Sequence, residues 1–232
     1  MITKILKEIE SERNKKKDEK LSRFFKTGKG EYGEGDIFWG LSVPVSRQIA
    51  LRYKDLSLSD VNLLLKNKVH EVRLIGFLIL VWKYKHSGLK EQKSIVKFYL
   101  KNTNYVNNWD LVDLSSHYIL GNYLLSHGDK NVLLKLAKSK NLWEQRIAIV
   151  STYAFIRKGE LDWTFKIAKL FLGHNHDLIH KATGWMLREA GKKDEKSLRR
   201  FMDGNFSKMP RTMLRYAIEK FPENIRLAYL KK

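Results

Sequence analysis

Five short blocks of this sequence align on one another, and each reads as the opening of a helix. Glu71-Val72-Arg73-Leu74-Ile75, Glu144-Gln145-Arg146-Ile147-Ala148 and Ile179-His180-Lys181-Ala182-Thr183 share one register, and Trp109-Asp110-Leu111-Val112 and Pro210-Arg211-Thr212-Met213 fit it too. Their reference positions, 73, 110, 146, 181 and 211, are spaced by 37, 36, 35 and 30 residues. A two-helix unit of that size cannot bury its apolar face alone and must stack on its neighbours. The spacing therefore predicts an all-α fold, a curved α-solenoid of HEAT-like repeats with a concave face open to a partner. Helical spacing of Leu74, Phe77, Leu78 and Val81, and the presence of only three prolines, agree with this. Residues 1–232 are expected to form a single repeat domain.

Two segments stand outside the repeat. Ile2 to Phe25 reads as one helix, charged on nearly every face between Arg13 and Lys20. Thr27 to Gly40 holds five glycines, too many for a stable helix. A long loop is expected there, with a short hairpin turning at Glu34-Gly35, and loops of that length in compact domains tend to be functional.

Charge narrows the choice of partner. The chain has 45 Lys and Arg against 25 Asp and Glu, a formal net charge of +20, which attracts polyanions. No apolar run reaches the roughly 18 residues a membrane helix needs. The N-terminus, with Glu8, Glu10 and Glu12, has no signal-peptide core. The expectation is a cytoplasmic protein, associated with the nucleoid when bound to DNA. Zero cysteines exclude disulfides and Cys-ligated metals.

The repeated position carries Arg73, Arg146, Lys181 and Arg211, with Asp110 as its one acidic member. Equivalent residues of stacked helices point the same way, so the cations should line a groove that tracks phosphates. Around the exception lie Trp109 and Asp113, spaced i,i+4 on one helix face. Placed on the repeat register with Arg146 and Trp185, they span about 140° of one face, which predicts two indoles, a carboxylate and a guanidinium at one site. Blander readings stand beside this. Trp185 shares its position with Phe77, Leu114 and Val150, a core slot. Trp109 fits a core slot as well, Asp113 a helix cap or ion pair, and Arg146 an ordinary phosphate contact.

Around these residues the chain resembles the DNA alkylation repair enzymes of the AlkD-like type, HEAT-like-repeat alkylpurine DNA glycosylases. The likeness rests on Asn108-Trp109-Asp110-Leu111-Val112-Asp113, on Trp143-Glu144-Gln145-Arg146-Ile147-Ala148-Ile149-Val150, and on Lys181-Ala182-Thr183-Gly184-Trp185-Met186-Leu187-Arg188-Glu189. It implies a catalytic Asp113, two active-site indoles at Trp109 and Trp185, an active-site Arg146, and a backbone contact at Arg188. It further implies hydrolysis of the N-glycosidic bond of N3- or N7-alkylated purines in double-stranded DNA by a monomer. No metal, cofactor or covalent intermediate is needed, and the lesion stays largely stacked. Arg73, Lys181 and Arg211 are expected to join Arg188 in holding DNA. Related branches with an inserted hairpin are thought to bind branched DNA without excising bases, so the glycine-rich loop keeps that alternative open. A scaffold for an acidic protein is the third reading.

Other motifs carry blander explanations. His176 and His180 have metal-like i,i+4 spacing, but a polar turn leading into a helix near Asn175 is the simpler reading. Ser115, Ser116 and His117 beside Asp113 are adjacent on a helix and face different directions, which a hydrolase triad cannot tolerate. Gly33-Glu34-Gly35 is too little for a nucleotide loop.

Overall fold

The computed structural model describes residues 1–231. It is all-helical; among the described residues the one β feature is an isolated parallel bridge between Ile37 and Val69. The helices gather into two compact units, Met1–Ile119 and Leu120–Lys232.

The first unit contains α1 (Ile2–Ser11), α2 (Lys15–Phe24), α3 (Val43–Arg52), α4 (Leu58–Leu65), α5 (His70–Lys85), α6 (Leu89–Lys101) and α7 (Trp109–Asp113). α5 is its axis and packs against α3, α4, α6 and α7. The reason is compositional. Val72, Leu74, Ile75, Phe77, Ile79 and Leu80 bury more than one face of α5, so neighbours must cover it all round. Ile5 and Ile9 of α1, Ile49 of α3 and Tyr99 of α6 complete this core. α4 starts where the Ser57 hydroxyl accepts from the Asp60 N–H at 3.1 Å, a cap for an otherwise orphaned donor.

The expected single N-terminal helix is broken. α1 ends at Ser11 and α2 begins at Lys15 because the Asn14 N–H is given to Trp39 O at 2.8 Å rather than to a helical carbonyl. Gly40 makes that crossing possible: its φ is +82°, and a Cβ there would strike Asn14 O. The glycine-rich loop also departs from expectation. It forms successive turns, Glu31 to Gly28 and Asp36 to Gly33, in place of a hairpin at Glu34-Gly35. Its second half is built into the body, where Asp36, Phe38 and Leu41 are buried.

The second unit contains α8 (Asn122–Ser126), α9 (Asn131–Ala137), α10 (Leu142–Ser151), α11 (Tyr153–Arg157), α12 (Asp162–Leu170), α13 (Asp177–Lys193), α14 (Glu195–Asn205), α15 (Arg211–Ala217) and α16 (Glu223–Leu230). α10 packs between α9 and α13, and α13 against α14 and α15, in the serial pairing of an α-solenoid. The repeat blocks fall at or near the starts of α5, α7, α10, α13 and α15. α13 and α15 approach closely at Gly184, whose added Cβ would lie 2.5 Å from Tyr216 Cβ and 2.6 Å from Met213 O. Among the described residues no helix is long and apolar enough to cross a membrane.

Candidate functional site

In the first unit, α7 is a short helix whose N-terminus is capped by Asn108, its side-chain oxygen accepting from the Trp109 N–H at 2.9 Å. One turn of this helix separates Trp109 from Asp113, and both line the same cavity of about 380 Å³. Leu21, Phe24, Phe25, Phe38 and Leu74 make its walls largely apolar. Asp113 is half-buried there. The Trp109 ring stacks on Phe25 at 5.1 Å, and Phe25 stacks on Phe38 at 4.8 Å. Phe24, 62% exposed, meets the Trp109 indole edge-on at 5.8 Å. Trp109 is therefore fixed from one side, and one face of the indole is committed to protein.

Beneath this aromatic layer lies a charge network that sequence reasoning missed. His70, at the start of α5, stacks under Phe38 at 4.4 Å and bridges two carboxylates, with Nε2 2.8 Å from Asp110 Oδ2 and Nδ1 3.0 Å from Asp36 Oδ2. Arg73 Nη2 donates to Asp36 Oδ1 at 2.6 Å and to Asn107 Oδ1 at 2.8 Å, while Nη1 donates to the carbonyls of Asn67 and Lys68. Burial pushes an imidazole toward its neutral form. The charge and hydrogen bond of Asp110, then those of Asp36, outweigh it and raise the His70 pKa to about 9. For Asp36, burial works upward, but the His70 hydrogen bond and the Arg73 guanidinium hold the carboxyl below its ordinary value. At neutral pH both ring N–H groups of His70 therefore donate.

This network corrects one expectation and accounts for the acidic exception at the repeated position. Arg73 is 5% exposed and both its Nη groups donate inside the protein, so it is a structural cation rather than a phosphate contact. Asp110, the one acidic residue at the repeated position, is the buried partner of His70. The neighbouring Glu71, also buried, accepts from the backbone N–H groups of Trp39, Gly40 and Leu41 at 3.0, 2.8 and 3.2 Å. That fastens the loop over the start of α5. A Glu at the head of an otherwise apolar run was the signal for it in the sequence.

In the second unit, Arg146 of α10 is 5% exposed and its Nη1 donates to Leu178 O at 2.7 Å. Trp185 of α13 is half-buried, its ring 6.0 Å from that of Tyr153. α10 and α13 pack on one another, so Arg146 and Trp185 belong to adjoining helices. Lys181 pairs with Asp177 at 2.7 Å. Arg188 pairs with Glu219 and, at 3.4 Å, with Glu189. Arg211 is exposed, and one of its donors reaches Leu230 O at 2.9 Å.

The histidines before α13 cap and brace the turn. His176 Nδ1 accepts from the Leu178 N–H at 3.1 Å, His174 Nδ1 accepts from the His176 N–H at 3.0 Å, and His174 Nε2 meets Gln145 at 2.8 Å. Burial, then the nearby rings of His180 and His176, holds His174 below its ordinary pKa. Among the described residues no three His, Asp or Glu side chains are grouped to hold a metal ion.

The chain matches the family described as DNA alkylation repair enzyme over residues 5–221. Among solved structures it is similar to a predicted DNA alkylation repair enzyme from Enterococcus faecalis, with a TM-score of 0.70 and 16% identity, over 91% of this chain and 98% of that one. At that identity the likeness speaks for the fold. No curated protein sequence gives a significant match.

Proposed function

The chain belongs to the DNA alkylation repair enzyme family, and from that premise we propose that it is a monofunctional glycosylase releasing cationic N3- or N7-alkylated purines from duplex DNA. Membership itself gives a role in repair of alkylated DNA. The single observation that carries the finer reading is the pairing of Trp109 and Asp113 in one apolar cavity.

An alkyl group on N3 or N7 makes the purine cationic and a good leaving group. As the C1′–N9 bond breaks, its electron pair neutralises the base, and positive charge grows on the deoxyribose. A carboxylate among apolar walls stabilises that charge more strongly than it would in bulk water. The indole of Trp109 adds about 0.5–2 kcal/mol of cation–π attraction. Asp113 then orients a solvent water whose oxygen bonds C1′, and takes up the proton that the water sheds. The family resemblance extends the reaction's residues to Trp185 and Arg146 in the second unit and adds a backbone contact at Arg188; Lys181 and Arg211, cations of the repeated position, are proposed to hold the backbone with it.

The test is base release. Duplex DNA carrying 7-methylguanine or 3-methyladenine should yield the free base and an abasic site. Duplex carrying a neutral lesion such as hypoxanthine should yield almost none. Tight binding of methylated duplex with no free base would refute the glycosylase reading.

A further inference from the structure

A second groove opens in the first unit, of about 560 Å³, and shares Leu114 with the cavity that holds Trp109 and Asp113. It runs between α3 and the C-terminal half of α5. On its walls are Leu51, 53% exposed, and Tyr118, 39% exposed, with Trp82 between cationic side chains. Trp82 is held in place from several sides: His86 stacks on it at 4.1 Å, His86 Nδ1 lies 2.8 Å from its carbonyl, and Lys54 Nζ sits 4.9 Å over its ring. Arg47 and Lys85 stand exposed on the rim with no ion pair among the described residues. The groove thus interleaves exposed Leu and Tyr side chains with solvated cations. They suit a ligand that alternates apolar and anionic parts.

We infer that this groove is a strand-binding subsite for DNA, in which Arg47 and Lys85 neutralise backbone phosphates while Leu51, Trp82 and Tyr118 pack on deoxyribose and base edges. It rests on the proposed function, and it adds a place for the stretch of strand flanking the damaged nucleotide. Continuity with the first cavity through Leu114 makes a DNA strand the favoured occupant, and the chain's charge of +20 supplies the complementarity.

The experiment measures duplex binding by fluorescence anisotropy across a salt series, for wild type, the double variant Arg47→Gln/Lys85→Gln, and a control with the same charge change on α6, Lys90→Gln/Lys93→Gln. Each lost phosphate contact removes about 0.9 from the log–log salt slope, so the groove variant should lose close to 2 units and bind roughly ten-fold or more weakly at moderate salt. The α6 control should keep the wild-type slope. A groove variant with an unchanged slope, or an equal loss in the control, overturns the subsite while leaving the glycosylase reading intact. Failure of the wild type to bind duplex at low salt removes both. Competition by poly-glutamate that matches duplex in wild type, and falls equally in the groove variant, would assign the groove to an acidic polypeptide instead.

Discussion

His70 Nε2 lies 2.8 Å from Asp110 Oδ2, a contact between the first residue of α5 and the second residue of α7. Asp110 is thereby fixed three residues before Asp113 and next to Trp109, so the imidazole sets the placement of the helix that carries both. His70 itself borders the cavity of Trp109 and Asp113, and Asp36 and Arg73 hold it from the other side.

Removal of that imidazole should be costly. His70→Ala leaves the buried Asp36 and Asp110 carboxylates without their shared cation, and breaking a buried pair from one side costs about 3–5 kcal/mol. Urea unfolding should show a loss of that order. A loss below about 1 kcal/mol, as for an exposed pair, would contradict the buried network.

The same residue predicts a pH dependence. The folded pKa of His70 is raised to about 9, above the ordinary 6.5. Its contribution to stability is therefore fully present below about pH 6.5 and is lost progressively as pH rises through 9. The groups facing it are Asp36, Asp110 and, through Asp36, Arg73. Unfolding measured from pH 6 to 10 should show stability falling by roughly 3 kcal/mol in wild type, and that slope should vanish in His70→Ala. An equal slope in both proteins would assign the dependence elsewhere.

In the second unit, Gly184→Ala should destabilise. The new Cβ would meet Tyr216 Cβ at 2.5 Å and Met213 O at 2.6 Å, and the backbone atom cannot rotate away. Overpacking of this kind costs about 1–3 kcal/mol. A variant as stable as wild type in urea would mean that α13 and α15 stand farther apart than described.

The helical repeat was legible because it is written locally: apolar residues at helical spacing, and blocks returning every 30 to 37 residues, each at or near a helix start. The pairing of Trp109 with Asp113 was legible for the same reason, since i,i+4 residues share a face. What the register could not convey was which face of each helix is packed. Arg73 and Arg146 occupy the repeated cationic position, yet both are buried, because α5 and α10 are covered on that side. His70 and Asp110 are forty residues apart, and no local pattern couples them. The break at Asn14 and the seating of the glycine-rich loop on Glu71 depend on contacts from distant segments, which is why an uninterrupted helix and a hairpin looked natural there.

In the proposed reaction the Asp113 carboxylate, beside the Trp109 indole, stabilises the charge that develops as an alkylated purine leaves. The most direct measurement is the single-turnover rate of 7-methylguanine release by Asp113→Asn, a nearly isosteric change that deletes the charge. Excision should fall by about 10²-fold or more, as for loss of one preorganised electrostatic group, while affinity for the duplex is retained. Release of 7-methylguanine by Asp113→Asn at the wild-type rate would contradict the account.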